Sequence, residues 1–586
     1  MLDLQSPTNH EDRDKTTFSR FVARAKIYSN RFSSAEKKLL AGLLILLIGS
    51  AVFYEIRFRS NSILVPKTGG SYTEGLVGQP QHINPLLAPA NKVDLDLSRI
   101  VYAGLLKFDQ NLNLVPDLAE AMPQISADGK EYTVKLRPNL IWPGKEGRRL
   151  TGSDVRFTIQ AIQNPDYQSP LRLSWNKVEV QEIDELTLKF IIREASATFI
   201  ANLTVGIMPK HIWENISGSS FALSNLNLEP TGAGPFQVDK ITRGRNGEVR
   251  SISLVPNKQY HLGRSYLDKL TFRFFESTDD LIEAYHSHDI EGLGFEPFDR
   301  SLFIEPKKSL QQIKLTLPQY QAVFINELKN PAPLGDPRVR LALAKSVNKQ
   351  QIISDIYGDQ VGEAYGPILP GHLGYHEQIP GAPMNIYDLE GAKKLLEEAG
   401  WTVDPATGFR KDKLDRTVTL SLVTNDFSPN VRVADALKQM WESIGIKIVL
   451  SIETPRDLEE KYIRPRNFEL LLFSENVGAD PDPYPFWHSA QRRDPGLNFT
   501  TFANAQADRL LVEARGNVSA VVRAQKYRQF QEIFVGVVPA IFLTRSLYVY
   551  NLPAKIQGVK LGTVVTAADR FADIREWYIE TRRVKK

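Results

Sequence analysis

Two kinds of apolar pattern run along the chain. One is a single uncharged stretch near the start, and the other is a long series of short runs with strand-like or helical period. The uncharged stretch is Leu39 to Tyr54, LLAGLLILLIGSAVFY. At ~1.5 Å per residue it reaches about 24 Å, and about 30 Å when Glu55 to Phe58 snorkel at its end, enough to span a hydrocarbon core. A buried core helix alternates with polar positions, and this run does not. Its leader is far longer than the basic region of a signal peptide, and it continues into Phe53, Tyr54 and Ile56 without a small-residue cleavage site. The pattern therefore predicts an uncleaved signal anchor over 39–58, with a basic leader at 1–38 and a linker at 59–67. Eight basic residues from Arg13 to Lys38 precede the run, while only Arg57, Arg59 and Lys67 follow closely, which keeps the N-terminus cytoplasmic and exports the body. Within the leader, Phe18, Phe21, Val22, Ala25, Tyr28 and Phe32 are spaced for an amphipathic surface helix, and a disordered basic tail is the alternative.

Beyond Pro66 to Gly70, which reads as a short linker, the patterns alternate. Strands are expected at 132–136, 186–192, 251–255, 270–275, 322–326, 418–423 and 447–452. Helices are expected at 154–163, 337–348 leading into 349–357, 387–399, 430–444 and 521–534. Gly400 and Gly445 stand where helix-terminating glycines belong. Alternation of this kind argues α/β lobes with mixed sheets, and no short repeat indicates a solenoid or propeller.

Charge and cysteine content narrow the function. The whole chain carries 72 basic and 68 acidic residues, and ten basic and six acidic residues lie before position 60. The exported part is thus neutral, which sets nucleic acid aside as a partner. The absence of cysteine excludes disulfides, thiolate metal sites, a cysteine nucleophile and a lipidated cysteine. No nucleophile elbow, P-loop or zinc-protease motif is present. His286 and His288 after Glu283, and His372 with His376, read as surface or loop histidines rather than a metal site, and no cofactor is expected. Asp279-Asp280 and Glu397-Glu398 are adjacent, so they diverge on any helix or strand and read as solvated charges rather than an acid–base pair.

One segment stands out, Asp480-Pro-Asp-Pro-Tyr-Pro-Phe-Trp-His-Ser-Ala-Gln491. Its prolines predict a stiff loop rather than a regular helix or central strand. Such a loop presents two carboxylates with Tyr484, Phe486 and Trp487 either to a ligand, at little entropic cost, or as plugs for a lobe.

An ordered set of short matches then covers nearly all of the exported part: Asn84-Pro85, Ile100 to Asp109, Pro116 to Glu120, Asp128 to Thr133, Thr151 to Val155, Met208 to Ile212, Thr231 to Gln237, Asp336 to Leu343, Ala392 to Gly400, Ile444 to Ile446 and the proline-rich run. In this order they resemble the family 5 extracellular solute-binding proteins, the oligopeptide- and dipeptide-type receptors of ABC importers. The resemblance implies a periplasmic-binding-protein-like two-lobed α/β fold of the cluster C type, with an extra inserted domain, here preceded by one transmembrane helix. Lobe I would comprise 68–97, 225–320 and 548–586, the inserted domain 98–224 and lobe II 321–547. The chain would cross between lobes near Tyr320 to Asn326 and Tyr548 to Asn551.

The resemblance also implies a monomeric receptor, not an enzyme, that binds a peptide in the inter-lobe cleft and passes it to permease subunits. A receptor of this fold for a non-peptide solute such as a nickel chelate or sugar is the alternative, ahead of an exported enzyme or adhesin. Main-chain edges holding an extended peptide would come from Pro89-Ala90-Asn91 and from Glu475-Asn476-Val477. Asp480 would meet the peptide's amino group, with Trp487 in the same site. The register departs from the family pattern here: counted without gaps from Phe486, the aspartate position is held by Ala479.

Overall fold

The computed structural model describes residues 33–296 and 308–585. The leader positions Phe18 to Phe32 lie outside the described residues. The chain divides into two units, and each is described by itself.

The first unit holds the helix Ser34–Ser60, none of whose residues is buried. Its most apolar stretch has a mean hydropathy of 2.2. A capping box starts it: the Ser33 hydroxyl accepts from the Glu36 amide, and the Glu36 carboxylate accepts from the Ser33 amide. The expectation of a linker over 59–67 is corrected. The helix runs to Ser60, and Ser62–Lys67 is a strand paired antiparallel with Glu580–Lys585. That pairing draws the last residues out of lobe I and into this unit. The reason is a ladder between segments more than five hundred residues apart in sequence, which local pattern does not reveal.

The second unit, Thr68–Ile579, is organised by an eleven-stranded mixed sheet. From one edge the order is Lys447–Glu453, Thr419–Asn425, Leu470–Asn476, Leu310–Ile325, Ala540–Pro553, Gly292–Phe295, Ser71–Val77, Lys269–Phe275, Val249–Pro256 and Phe236–Arg243. The short strand Gly362–Glu363 joins on the side of Ala540–Pro553. Two long strands, Leu310–Ile325 and Ala540–Pro553, run antiparallel through the middle and belong to both halves. Their pairing is broken between Thr316↔Leu547 and Tyr320↔Arg545, where Pro318 cannot donate to the ladder.

The hydrophobic core divides at the same place. Leu315, Leu317, Tyr548 and Tyr550 belong to one buried cluster, while Tyr320, Ala322, Phe542 and Leu543 belong to another. The two clusters define the two lobes of this α/β fold. The break at 316–320 and 545–547 sits just ahead of the expected crossing segments. Within 98–224, a separate four-stranded sheet orders Gln124–Ile125, Glu131–Lys135, Thr187–Ile192 and Val178–Glu182. Its buried Tyr132, Val134, Leu188 and Phe190 alternate with polar neighbours, as a half-covered sheet requires.

Lobe I also encloses a charge cluster that no local pattern announces. Arg570, with no exposed surface, pairs with Glu74 and Asp96, each at 2.7 Å. The hydroxyls of Tyr72 and Tyr550 donate to the other Glu74 oxygen at 2.8 and 2.6 Å. Each buried charge is therefore paired and hydrogen-bonded, the condition under which such a cluster is tolerated.

Candidate functional site: a polar row at the lobe junction

Next to the break in the long strands, the sheet interior turns polar. Gln321 stands opposite Ser474 on one side and Thr544 on the other, a row across three adjacent strands. All three line a cavity of about 110 Å³ together with Gln319, Asn430 and Tyr357. Each strand is apolar inward from this row, in Ala322–Ile325, Leu470–Phe473 and Ala540–Leu543, so the polar residues mark where the lobe II core ends. The Gln321 amide donates to Asn430 Oδ1 at 2.8 Å, and Asn430 donates to Asn425 Oδ1 at 2.8 Å. Gln321 is only 5% exposed, so its amide sits at the buried end of this polar row. Glu296, also in the wall, is paired with Lys92 at 2.6 Å. Sequence reading missed this row, although the polar end of each apolar run was a visible signal.

The residues expected from sequence are placed as follows. Glu475 follows Ser474 on its strand, so its side chain points to the opposite face, into the lobe II interior. It is 4% exposed, takes a short hydrogen bond from the Tyr320 hydroxyl and leaves Oε1 without a partner. Burial pushes its carboxyl up to about 8, against the opposing pull of the Tyr320 hydrogen bond and the Arg466 charge. Asn476 is exposed, with its side chain accepting from Gly478 N at 2.9 Å, and Val477 is buried and bonds through its N–H to the Pro318 carbonyl at 2.8 Å.

Asp480 turns toward the helix Ala520–Val537, where Arg523 closes on it. Arg523 also donates to the Tyr527 hydroxyl at 3.0 Å. Asp482 is 6% exposed and pairs with Arg515 at 3.3 Å, and burial raises its carboxyl above the usual range. Trp487 is a core residue: it lies edge-on to Phe534 at 4.6 Å and stacks with Phe324 at 6.2 Å. The stiff loop is in fact turned into a single helical turn, Tyr484–Trp487, which Pro485 accommodates because the first helical turn needs no intrahelical donor.

On lobe I, Ala90 is exposed at the end of a short 3₁₀ turn. Asn91 caps the helix Lys92–Val101, accepting from Val93 N at 2.9 Å and donating to the Gln79 carbonyl at 3.1 Å. Its side chain is thereby committed to the cap, which leaves main chain as what this segment presents. The structure thus gathers Glu475, Asn476 and Val477 at the end of one strand, directs Asp480 and Trp487 into lobe II contacts, and keeps Ala90 and Asn91 on the other lobe. Among the described residues, no group of three or more histidines and carboxylates gathers at metal-binding range.

The comparison with known proteins decides what this architecture is. Residues 113–496 match the family described as bacterial extracellular solute-binding proteins, family 5 middle. The chain belongs to that family. This family 5 protein is 26% identical over 502 residues to the oligopeptide-binding protein AppA of Bacillus subtilis, covering 84% of this chain and 90% of that protein. It is 24% identical over 508 residues to the dipeptide-binding protein of Escherichia coli, covering 82% and 90%. The solved structure of the Bacillus subtilis AppA in complex with a nonapeptide superposes with a TM-score of 0.64 at 24% identity, over 88% of this chain and all of that one. The two-lobed receptor fold expected from the family 5 resemblance is the fold observed.

Proposed function

We propose that this family 5 protein is a membrane-tethered extracytoplasmic receptor that binds peptides between its lobes and delivers them to the permease subunits of an ABC importer. The observation that carries the reading is the Ser474–Gln321–Thr544 row beside the junction of two separately packed lobes. An extended peptide is recognised through main-chain amides, and a row of neutral amide and hydroxyl side chains suits that chemistry while ignoring side-chain identity. Relatives named for oligopeptide and dipeptide binding, aligned over most of their length, support the same ligand class.

The neutral wall also speaks to mechanism. The Asp480 carboxylate is already paired, so the ligand is held by hydrogen bonds rather than by a buried charge. Contacts from both lobes favour the closed form, which is the signal of occupancy. The helix Ser34–Ser60 acts as the tether, with the body on the outer side, and the receptor works as a monomer without catalytic groups. Tethering replaces free diffusion by a high effective concentration beside the importer.

Native mass spectrometry of the body from Thr68 onward, purified without denaturation, tests the ligand class. A co-purifying ladder of short peptides is the expected result. A single discrete non-peptide mass would reject the peptide reading and leave the fold assignment untouched.

A further inference from the structure

The first unit concentrates positive charge immediately beyond its apolar helix. Residues 55–67 and 580–585 hold six basic and two acidic side chains. Both acids are already committed: Glu55 pairs with Arg59 and Glu580 with Lys67, each at 2.6 Å. Arg57, Arg582, Arg583 and Lys585 are exposed, and among the described residues no carboxylate pairs with any of them.

The ladder register gathers this charge at one end. Lys585 stands opposite Ser62, Arg583 opposite Leu64 and Arg582 opposite Val65, so all three lie along the part of the ladder next to the helix, while Lys67↔Glu580 closes the far end. Arg583 fixes the ladder to the helix: its Nη1 donates to the Arg59 carbonyl at 3.4 Å, in the last helical turn, and to the Ser62 hydroxyl at 3.2 Å. Depth follows from element geometry. Counted from Phe58, the end of the expected span, the first pair Ser62↔Lys585 is four residues on, at most about 10 Å from the hydrocarbon edge. The headgroup layer is about 5–8 Å deep on each side, and electrostatic attraction reaches about 8 Å further at physiological salt. Apolar side chains mark the same level. Tyr54 and Phe58 stack at 6.4 Å on the helix, and Ile63 and Leu64 on the ladder are 46% and 59% exposed. Aromatic and aliphatic bodies beside cations are the composition of an interfacial segment.

We infer that the helix-proximal end of this ladder is a docking surface for anionic phospholipid headgroups. The inference rests on the reading of Ser34–Ser60 as a membrane tether. The guanidinium groups of Arg57, Arg582 and Arg583 hold headgroup phosphates, whose oxygens match the planar donor fork, and Lys585 adds a point charge. A zwitterionic headgroup brings its own ammonium, which these cations repel, so the surface selects lipids of net negative charge.

The test reconstitutes the full chain in nanodiscs of mixed phosphatidylcholine and phosphatidylglycerol. The chain has no cysteine, so Asn61→Cys takes a single fluorophore at the exposed junction of helix and ladder. This probe reads only its own side of the bilayer, and the basic leader on the other flank does not contribute. Quenching by headgroup spin-labelled phosphatidylglycerol is expected to exceed that by equally labelled phosphatidylcholine about five-fold. The excess should vanish in about 1 M salt, where screening shortens the reach to about 3 Å. It should vanish too when Arg582→Gln, Arg583→Gln and Lys585→Gln are combined, and survive Arg582→Lys with Arg583→Lys. Equal quenching by the two lipids, an excess that persists at high salt, or one that millimolar glycerol phosphate removes would each overturn the headgroup site and leave the tether reading intact. No quenching by either lipid would overturn both. None of these four readouts depends on a ladder variant that must fold.

Discussion

The guanidinium of Arg523, 6% exposed, rests on the carboxylate of Asp480, and so the residue expected to meet a peptide's amino group is already paired within lobe II. The consequence is a ligand chemistry without a free-ammonium requirement. An acetylated peptide and its free-amino counterpart are expected to bind with equal affinity, measured by calorimetry. Asp480→Asn is expected to cost stability rather than affinity, about 3–5 kcal/mol by chemical denaturation, because it leaves a buried guanidinium uncompensated. A clear preference for the free amine, lost in Asp480→Asn, would return Asp480 to the ligand site.

Glu475 makes stability depend on pH, and the sign follows from its raised carboxyl. Below its ordinary value of 4.5 it is protonated in both folded and unfolded chains and contributes no penalty. As pH rises from there to about 8 the unfolded chain releases the proton while the folded one retains it, so stability falls across that window. Glu475→Gln removes the ionisation. The variant should match the parent at pH 4.5 and exceed it by about 4 kcal/mol at pH 8, as read from urea midpoints at the two values. A pH-independent difference would show that the carboxyl ionises normally in the fold.

Gln321 stands at the middle of the polar row, between Ser474 and Thr544. Gln321→Met keeps the volume and loses the whole amide, including its hydrogen bond to Asn430. Peptide affinity should fall by about 1–2 kcal/mol, roughly ten-fold, and the empty protein should lose about 1–3 kcal/mol of stability because the Asn430 oxygen is left unpaired. Ser474→Ala and Thr544→Val should each have a smaller effect in the same direction. Unchanged peptide affinity in all three variants would place the ligand elsewhere.

Arg570 ties three separate segments of lobe I through Glu74, Asp96 and the Tyr550 contact to Glu74. Replacing it with Met leaves two buried carboxylates without a counter-charge and should lower stability by about 3–5 kcal/mol. The triple variant Arg570→Met, Glu74→Gln, Asp96→Asn should recover a substantial part of that loss, since the penalty lies in uncompensated charge. A triple variant as unstable as the single one would mean that the guanidinium's packing, rather than its charge, matters.

Much of the fold was readable because it is local. The strand period at 270–275 and 447–452, the helical period at 349–357 and the glycine stop at Gly400 all express interactions within a few residues, and each appears in the structure. The apolar run of 39–54 likewise lies within a single unburied helix, since its character is set by composition alone. Family membership was legible for a related reason: short motifs in a fixed order survive even where overall identity is low.

What tertiary structure decided is every relationship between distant segments. Sequence placed Glu475 near the site, but the strand's alternation turned its side chain inward and offered Ser474 instead. It ranked Asp480 and Trp487 by their striking loop, yet Arg523, more than forty residues on, and Phe534 claim them for lobe II. It read 59–67 as a linker, although the partner strand at 580–585 supplies the missing ladder. Local periodicity comes from backbone geometry repeated along the chain, whereas a counter-charge, a facing strand or a cavity wall is supplied by residues that only folding brings together.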